Sequence, residues 1–264
     1  MHNFEYLRPT SVAGAIEAFR AVENGRFFAG GMTLIPTMKQ RLASPTRLID
    51  LSGIEGLDAI RVEGTDLVVG AMARHDAVAN STESRSAIPA LANLAASIGD
   101  PQVRNRGTLG GSIANNDPAA DYCAGVLGLG ATIITDRRRI AADRFFPAMF
   151  ETALEPDELV VAVSFPIPFR AGYAKLRQTA SGYALVGVMV AHTPAGARVA
   201  VTGAGPNVFR HIEMEAALER DFSPRAVDGV ETRSEGLNTD MHGSAAYRAH
   251  LVDVLTKRAI SASL

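Results

Sequence analysis

Apolar positions in the first 55 residues alternate between two periods. Behind Pro9-Thr10-Ser11, a helix start, Val12, Ala15, Ile16 and Phe19 fall on one helical face. Residues 26–29 read as a short strand entering a glycine turn, and a helix begins near Leu34 with Pro36 tolerated in its first turn. Residues 47–51 read as a strand that closes a β-α-β unit. The run A-I-R-V-E, the turn G-T-D and the run L-V-V-G-A then predict a hairpin over 59–71. Helices follow over 74–80 and 88–98, the second with Leu91, Leu94, Ala95 and Ile98 on one face. A loop after residue 103 leads to an apolar helix over 119–129, a strand over 131–135, a short helix over 146–150 and the strand L-V-V-A-V-S-F over 159–165. Pro166 and Pro168 mark a boundary.

Beyond that boundary the pattern changes. Y-A-K-L-R-Q-T, A-L-V-G-V-M-V-A and A-R-V-A-V-T-G-A read as three consecutive strands of an antiparallel meander. Helices are predicted over 210–218 and 244–261, with a polar loop over 221–240 between them. The fold class is therefore α+β. The expected division is 1–168, with subdomains of about 1–55 and 56–168, followed by an α+β domain over 169–264.

Composition removes several function classes. The 264 residues are 47% hydrophobic and 20% charged, as in a globular protein, and a formal charge of −2 gives no basic footprint for nucleic acid or anionic lipid. Arg137-Arg138-Arg139 is flanked by Asp136 and Asp143 and reads as a solvated turn. Cys123 is the only cysteine, so this chain alone builds neither a disulfide nor a thiolate metal or iron–sulfur site. The six histidines are scattered, without an H-x-x-x-H or H-E-x-x-H pair, and no metal site is expected. The N-terminus lacks a signal-peptide pattern and no window holds 18 uninterrupted apolar residues, so a cytoplasmic location is expected.

The candidate chemistry lies in two glycine pairs. One is A-G-G-M-T, residues 29–33, and the other falls in R-N-R-G-T-L-G-G-S-I-A-N-N-D-P-A-A-D-Y, residues 104–122. Glycine lets backbone approach anionic oxygens and adopt positive φ, and successive amides in such turns form an anion-binding concavity. A single pair would be an ordinary turn. Here both pairs are bordered by hydroxyls (Thr33, Thr108, Ser112) and fall in successive subdomains, where a molecule with two phosphates could be held. Neither is a G-x-G-x-x-G or P-loop motif. The single residues stay open on this reading. Asp121 caps a helix or meets a ligand; Asn116 or Asp117 before Pro118 starts a helix without any ligand. Lys175 is by default a surface lysine, Tyr183 a strand or turn aromatic, and Cys123 a small buried hydrophobe.

The segment I-G-D-P-Q-V-R-N-R-G-T-L-G-G-S-I-A-N-N-D-P-A-A-D-Y resembles the second FAD motif of the medium, flavin-binding subunits of molybdenum hydroxylases, the family of carbon monoxide dehydrogenase medium chains and xanthine dehydrogenase FAD domains. F-F-A-G-G-M-T-L-I-P-T-M-K resembles that family's first motif, and three later segments agree in the same order. The resemblance implies a vanillyl-alcohol-oxidase-type (PCMH-type) FAD-binding domain of two α/β subdomains, followed by a C-terminal domain of the carbon monoxide dehydrogenase flavoprotein type. It implies that Phe28, Ala29, Gly30, Gly31, Met32, Thr33 and Leu34 hold one side of the FAD pyrophosphate, and Thr108, Gly110, Gly111 and Ser112 the other, with Asn116 among the cofactor contacts. Asp121 would meet the ribose or adenine half, Leu159 or Val160 would pack on a ring, Lys175 would sit near the isoalloxazine, and Tyr183 would shield it. No residue is assigned a catalytic role. The implied activity is electron transfer as the flavoprotein component of an oxidoreductase. A partner subunit with molybdopterin would hydroxylate the substrate, a second with 2Fe–2S clusters would pass electrons to non-covalent FAD, and NAD or a quinone would accept them. Two rivals remain, a stand-alone flavin oxidoreductase of the same fold and a non-enzymatic nucleotide-binding or scaffold protein.

Overall fold

A computed structural model describes residues 1–263. The first lobe contains β1 (Glu5–Leu7), α1 (Val12–Arg20), β2 (Gly25–Phe28), α2 (Leu34–Lys39) and β3 (Arg47–Asp50), and its sheet has the order β1-β3-β2 with both pairings parallel. Ser11 starts α1 as expected, its hydroxyl accepting from Gly14 N at 3.1 Å. Ala15 on the inner face of α1 is buried with Ile49 and Leu51.

The second lobe opens with the expected hairpin, β4 (Ile60–Glu63) and β5 (Asp66–Gly70). Five helices follow the hairpin before the chain reaches the apolar one: α3 (His75–Asn80), α4 (Thr82–Ala87), α5 (Pro89–Ser97), α6 (Pro101–Arg104) and α7 (Leu109–Asn115). The apolar helix is α8 (Asp121–Gly128), followed by β6 (Thr132–Thr135), β7 (Arg139–Ala141) and β8 (Val160–Pro166). The sheet has the order β4-β5-β8-β6-β7 and is antiparallel throughout.

Three expectations are corrected here. α4 lies in a stretch with no predicted element; it is separated from α5 at Ile88, which stands before Pro89 and is held out of the helical region. The expected loop over 104–118 contains α7, with Gly110 and Gly111 in its first turn. The helix expected over 146–150 is absent; a 3-10 turn spans Ala142–Arg144, and an isolated bridge Ala148↔Glu151 closes a turn with Phe150 at φ 58°.

The third lobe contains β9 (Arg170–Arg177), β10 (Ala184–Thr193), β11 (Gly196–Thr202), β12 (Phe209–Arg210), α9 (Ile212–Arg220) and α10 (Ala245–Ser261). The meander gains a fourth strand, because Phe209 and Arg210 pair with β11 before His211 caps α9; that pairing displaces the helix start from residue 210. The unbroken apolar run of β10 reflects burial on both faces. Val186, Val188 and Val190 pack with α9 and α10, whereas Met189 and Ala191 join the core formed by α5, α8 and the second sheet. Arg198 of β11 donates to Leu127 O near the end of α8. Thr202 Oγ1 and Gly203 N donate to Pro118 O, both at 2.8 Å. The third sheet thus fixes the turn that leads into α8.

Candidate functional site

Where the lobes meet, the chain encloses a cavity of about 870 Å³, within the size range of cofactor sites. Its floor is the contact between the two glycine segments. A Cβ on Gly30 would lie 2.1 Å from Arg106 O and 2.8 Å from Gly107 Cα, so only glycine lets the first loop close on the second. Gly31 has φ +73°, the left-handed region that favours glycine. A Cβ on Gly111 would face Ala29 Cβ at 3.6 Å across the same junction. The backbone N–H groups of Gly30, Gly31, Met32, Thr33 and Leu34 donate to no protein acceptor among the described residues. The Thr33 and Ser112 hydroxyls have no partner there either. These donors border one cavity and together suit an anion with several oxygens.

The second glycine pair works differently from the expectation of two positive-φ turns. Thr108 caps α7, its Oγ1 accepting from Gly111 N at 3.1 Å. Gly110 N donates to Ala71 O at 2.9 Å, and a Cβ there would strike Ala71 at 2.6 Å. Gly110 therefore serves the approach of α7 to the end of β5, while Gly111 faces the other loop.

Asp121 lines the cavity and Lys175 stands behind it. Lys175 is 6% exposed, pairs with Asp121 at 2.9 Å and donates to Gly182 O at 3.0 Å; Tyr173 Oη donates to the same carboxylate. Asp121 is not the cap of α8, a position held by Ala120. Burial pushes the Asp121 carboxyl up, against the pull of the Lys175 ammonium and the Tyr173 hydroxyl. Burial and the Asp121 charge push Tyr173 well above its ordinary range. The surface position that composition suggests for Lys175 is thus replaced by a buried ion pair; Lys175 stands just behind the cavity lining and touches it through Asp121 and Gly182.

Asn116 is likewise set back from the lining. It is fully buried with left-handed backbone at the end of α7 and does not line the cavity. Its amide donates to Ala148 O at 2.7 Å and Glu151 O at 2.6 Å, and its Oδ1 lies 3.6 Å from the buried Cys123 Sγ. Phe28 to Leu34, Thr108, Gly110, Gly111, Ser112, Leu159, Val160 and Tyr183 all line the cavity, and Tyr183 is 43% exposed beside Ser181 and Gly182.

Sequence reasoning missed Phe150, Thr152, Glu155, Ser181 and His75, which share that lining. His75 lies beneath the second loop: its N–H donates to Gly107 O at 3.0 Å, and a Cβ on Gly107 would meet its Nε2 at 2.5 Å. Desolvation, helped by Arg104, lowers the His75 pKa to about 4, and its Nδ1 has no partner among the described residues. Periodicity carries no signal for a pair 32 positions apart. Among the described residues no group of three or more His, Cys, Asp or Glu side chains could hold a metal ion.

Residues 2–168 match the family described as FAD binding domain in molybdopterin dehydrogenase. The chain is 34% identical to the carbon monoxide dehydrogenase medium chain of Afipia carboxidovorans, over 98% of this chain and 96% of that protein. It is also 34% identical to the nicotine 6-hydroxylase medium subunit of Paenarthrobacter nicotinovorans, over 97% and 95%. Among solved structures, carbon monoxide dehydrogenase from Hydrogenophaga pseudoflava superposes with a TM-score of 0.89 at 33% identity, covering 99% of this chain and 97% of that one. Quinoline 2-oxidoreductase from Pseudomonas putida 86 gives 0.88 at 29%, covering 98% and 96%. With an α+β fold shared end to end, the chain belongs to the family of FAD-binding medium subunits of molybdenum hydroxylases.

Proposed function

We propose that this flavoprotein subunit holds FAD across the junction of its first two lobes and is the electron outlet of a three-subunit molybdenum hydroxylase. The observation that carries the reading is the direct contact of the two glycine segments beside five amides that have no acceptor among the described residues. The group fits the residues present: the cavity has the volume for a dinucleotide, and a Cβ at Gly30 would destroy its floor. When bound, FAD supplies the redox chemistry that links a partner's 2Fe–2S clusters to an external acceptor such as NAD or a quinone. The chain's own residues bind and orient. The amides of residues 30–34 with Thr33 and Ser112 hold the pyrophosphate, and Leu159 and Val160 give an apolar wall for a ring. The Lys175–Asp121 pair fixes the segment carrying Gly182 and Tyr183 at the opposite wall.

Two parallel-and-antiparallel lobes around one cavity support the PCMH-type reading of the first 168 residues, and the third lobe supports a C-terminal unit over 169–264. The partners are a large molybdopterin subunit and a small iron–sulfur subunit, and the complex works in the cytoplasm. No helix among the described residues is long and apolar enough to cross a membrane. The test is twofold. The purified chain, incubated with FAD and desalted, retains a flavin absorbance spectrum at one equivalent, and co-expression with genes for the two partners yields a molybdenum- and iron-containing complex. A chain that stays colourless refutes the cofactor assignment. A flavin-loaded chain that oxidises an organic substrate by itself refutes the subunit assignment.

A further inference from the structure

Among the described residues only three non-glycine positions have positive φ: Arg41, Asn116 and Phe150. Two of them hold each other. Phe150 N donates to Asn116 O at 3.1 Å, and the Asn116 amide donates to Ala148 O and Glu151 O, the two ends of the turn that displays Phe150. Asn116 is fully buried, so its side-chain donors are spent entirely on this turn. A bulky residue at φ 58° is an outlier that glycine would relieve. Yet the ring gains little from the core: it is 57% exposed and forms part of the cavity lining. An aromatic face kept in an unfavourable backbone state, aimed by a buried clamp and left uncovered by protein, is arranged for a ligand with a flat apolar surface.

We propose that Phe150 is a binding residue that packs against a planar ring system of the dinucleotide in the cavity, and that Asn116 is its positioning residue. The inference rests on the FAD reading above and deepens it. It also gives Asn116 a role different from the direct contact expected from its motif: it touches the turn, and the turn touches the ligand. Both ring systems of FAD offer the required flat face, and the halves of the molecule distinguish them.

The test uses the full 264-residue chain, stripped of flavin, with FAD affinity measured by quenching of flavin fluorescence and apo stability by thermal melting. Phe150→Gly removes the ring and suits the local backbone. Its apo melting temperature stays level or rises, while FAD binding weakens about tenfold, the size expected for loss of one aromatic stacking partner. Phe150→Tyr keeps the wild-type affinity. Asn116→Gly, which preserves left-handed backbone without the clamp, weakens FAD binding severalfold in the wild-type background and not at all in the Phe150→Gly background. Isothermal titration calorimetry with FMN and with ADP assigns the contact: a loss seen with FMN alone places the ring on the isoalloxazine, and one seen with ADP alone places it on the adenine. A wild-type chain that binds no FAD overturns the cofactor reading itself. A wild-type chain that binds FAD, together with a Phe150→Gly variant that binds equally well, overturns only the role of Phe150. A further loss from Asn116→Gly in the Phe150→Gly background overturns the role of Asn116.

Discussion

Gly30→Ala places one methyl group where the two glycine segments touch. Its Cβ would lie 2.1 Å from Arg106 O, whereas ordinary contact begins near 3.4 Å, so the segments must part by about 1.3 Å. The obstructing atoms are main chain, including Gly107 Cα at 2.8 Å, and no rotamer change can clear them. Forcing extra volume into such a contact costs about 1–3 kcal/mol, or about 2–4 °C of melting temperature per kcal/mol for a chain of this size. The effect on the ligand should be larger than on the fold. An amide moved by that distance no longer bonds to a phosphate oxygen, and one hydrogen bond to a charged group is worth about 1.5–3 kcal/mol, roughly tenfold to a hundredfold in affinity. Gly56→Ala is the matched control: φ there is +80° with nothing within 4 Å, so it carries backbone strain of about 1–2 kcal/mol and no effect on the cavity. Calorimetry of both apo variants and FAD titration of each decide the matter. If Gly30→Ala binds FAD within twofold of the wild type, the two segments do not grip one diphosphate between them.

Other perturbations probe the supports of the cavity. Lys175→Met strands the buried Asp121 carboxylate and should cost about 3–5 kcal/mol in urea unfolding, most of it recovered by adding Asp121→Asn; a loss below 1 kcal/mol would show the pair to be dispensable. His75 has a folded pKa of about 4 against an ordinary 6.5, so the folded state binds fewer protons. Stability present above pH 6.5 is therefore lost as pH falls from 6.5 to 4, by about 3 kcal/mol in full, and His75→Gln should flatten that slope; an unchanged slope in the variant counts against it. Glu158 gives a second, lower window: hydrogen bonds from Arg138 hold its pKa at about 2 against 4.5, so stability disappears as pH falls from 4.5 to 2, by about 1 kcal/mol once solvent screening of the exposed Arg138 is allowed for. Glu158→Gln should already lack that stability at pH 7 and lose little more in acid, as chemical denaturation across the range would reveal. A fragment of residues 1–168 should aggregate and hold no FAD, since it uncovers the faces of α5 and α8 that pack on Met189 and Ala191; a monomeric, flavin-binding fragment would contradict this.

What could be read from the sequence was what local chemistry decides. The cap at Ser11, the hairpin at Gly64 and the period of β10 each depend on neighbours within a few residues, and each forms as read. The segment L-G-G-S-I-A-N failed that kind of reading because two glycines argue against a helix. α7 exists because partners far along the chain take its first amides: Leu109 N bonds to Ala73 O and Gly110 N to Ala71 O. β12 likewise needs β11 beside it, and the turn at Phe150 needs Asn116. The glycine pairs were legible as points of close approach because glycine next to a hydroxyl is a local signature of tight backbone contact. Which glycine does what was not legible, since Gly30 and Gly110 differ only in whether their neighbour is the opposite loop or a strand of their own lobe.

Lys175 shows why the remainder was out of reach. On sequence alone a lysine in the middle of a strand belongs in solvent, and its cost of burial forbids any other place unless an anion waits there. That anion is Asp121, 54 residues earlier, on a helix against which the third sheet is packed. The pair therefore exists only once the lobes are assembled, and its other contact, Gly182 O, belongs to the cavity wall. Burial of β10 on both faces is what makes that assembly rigid: the sheet cannot slide on α8 without also repacking α10. The C-terminal lobe thus sets the geometry of a site whose glycine segments both lie in the first 168 residues, and it does so through one ion pair and one sheet.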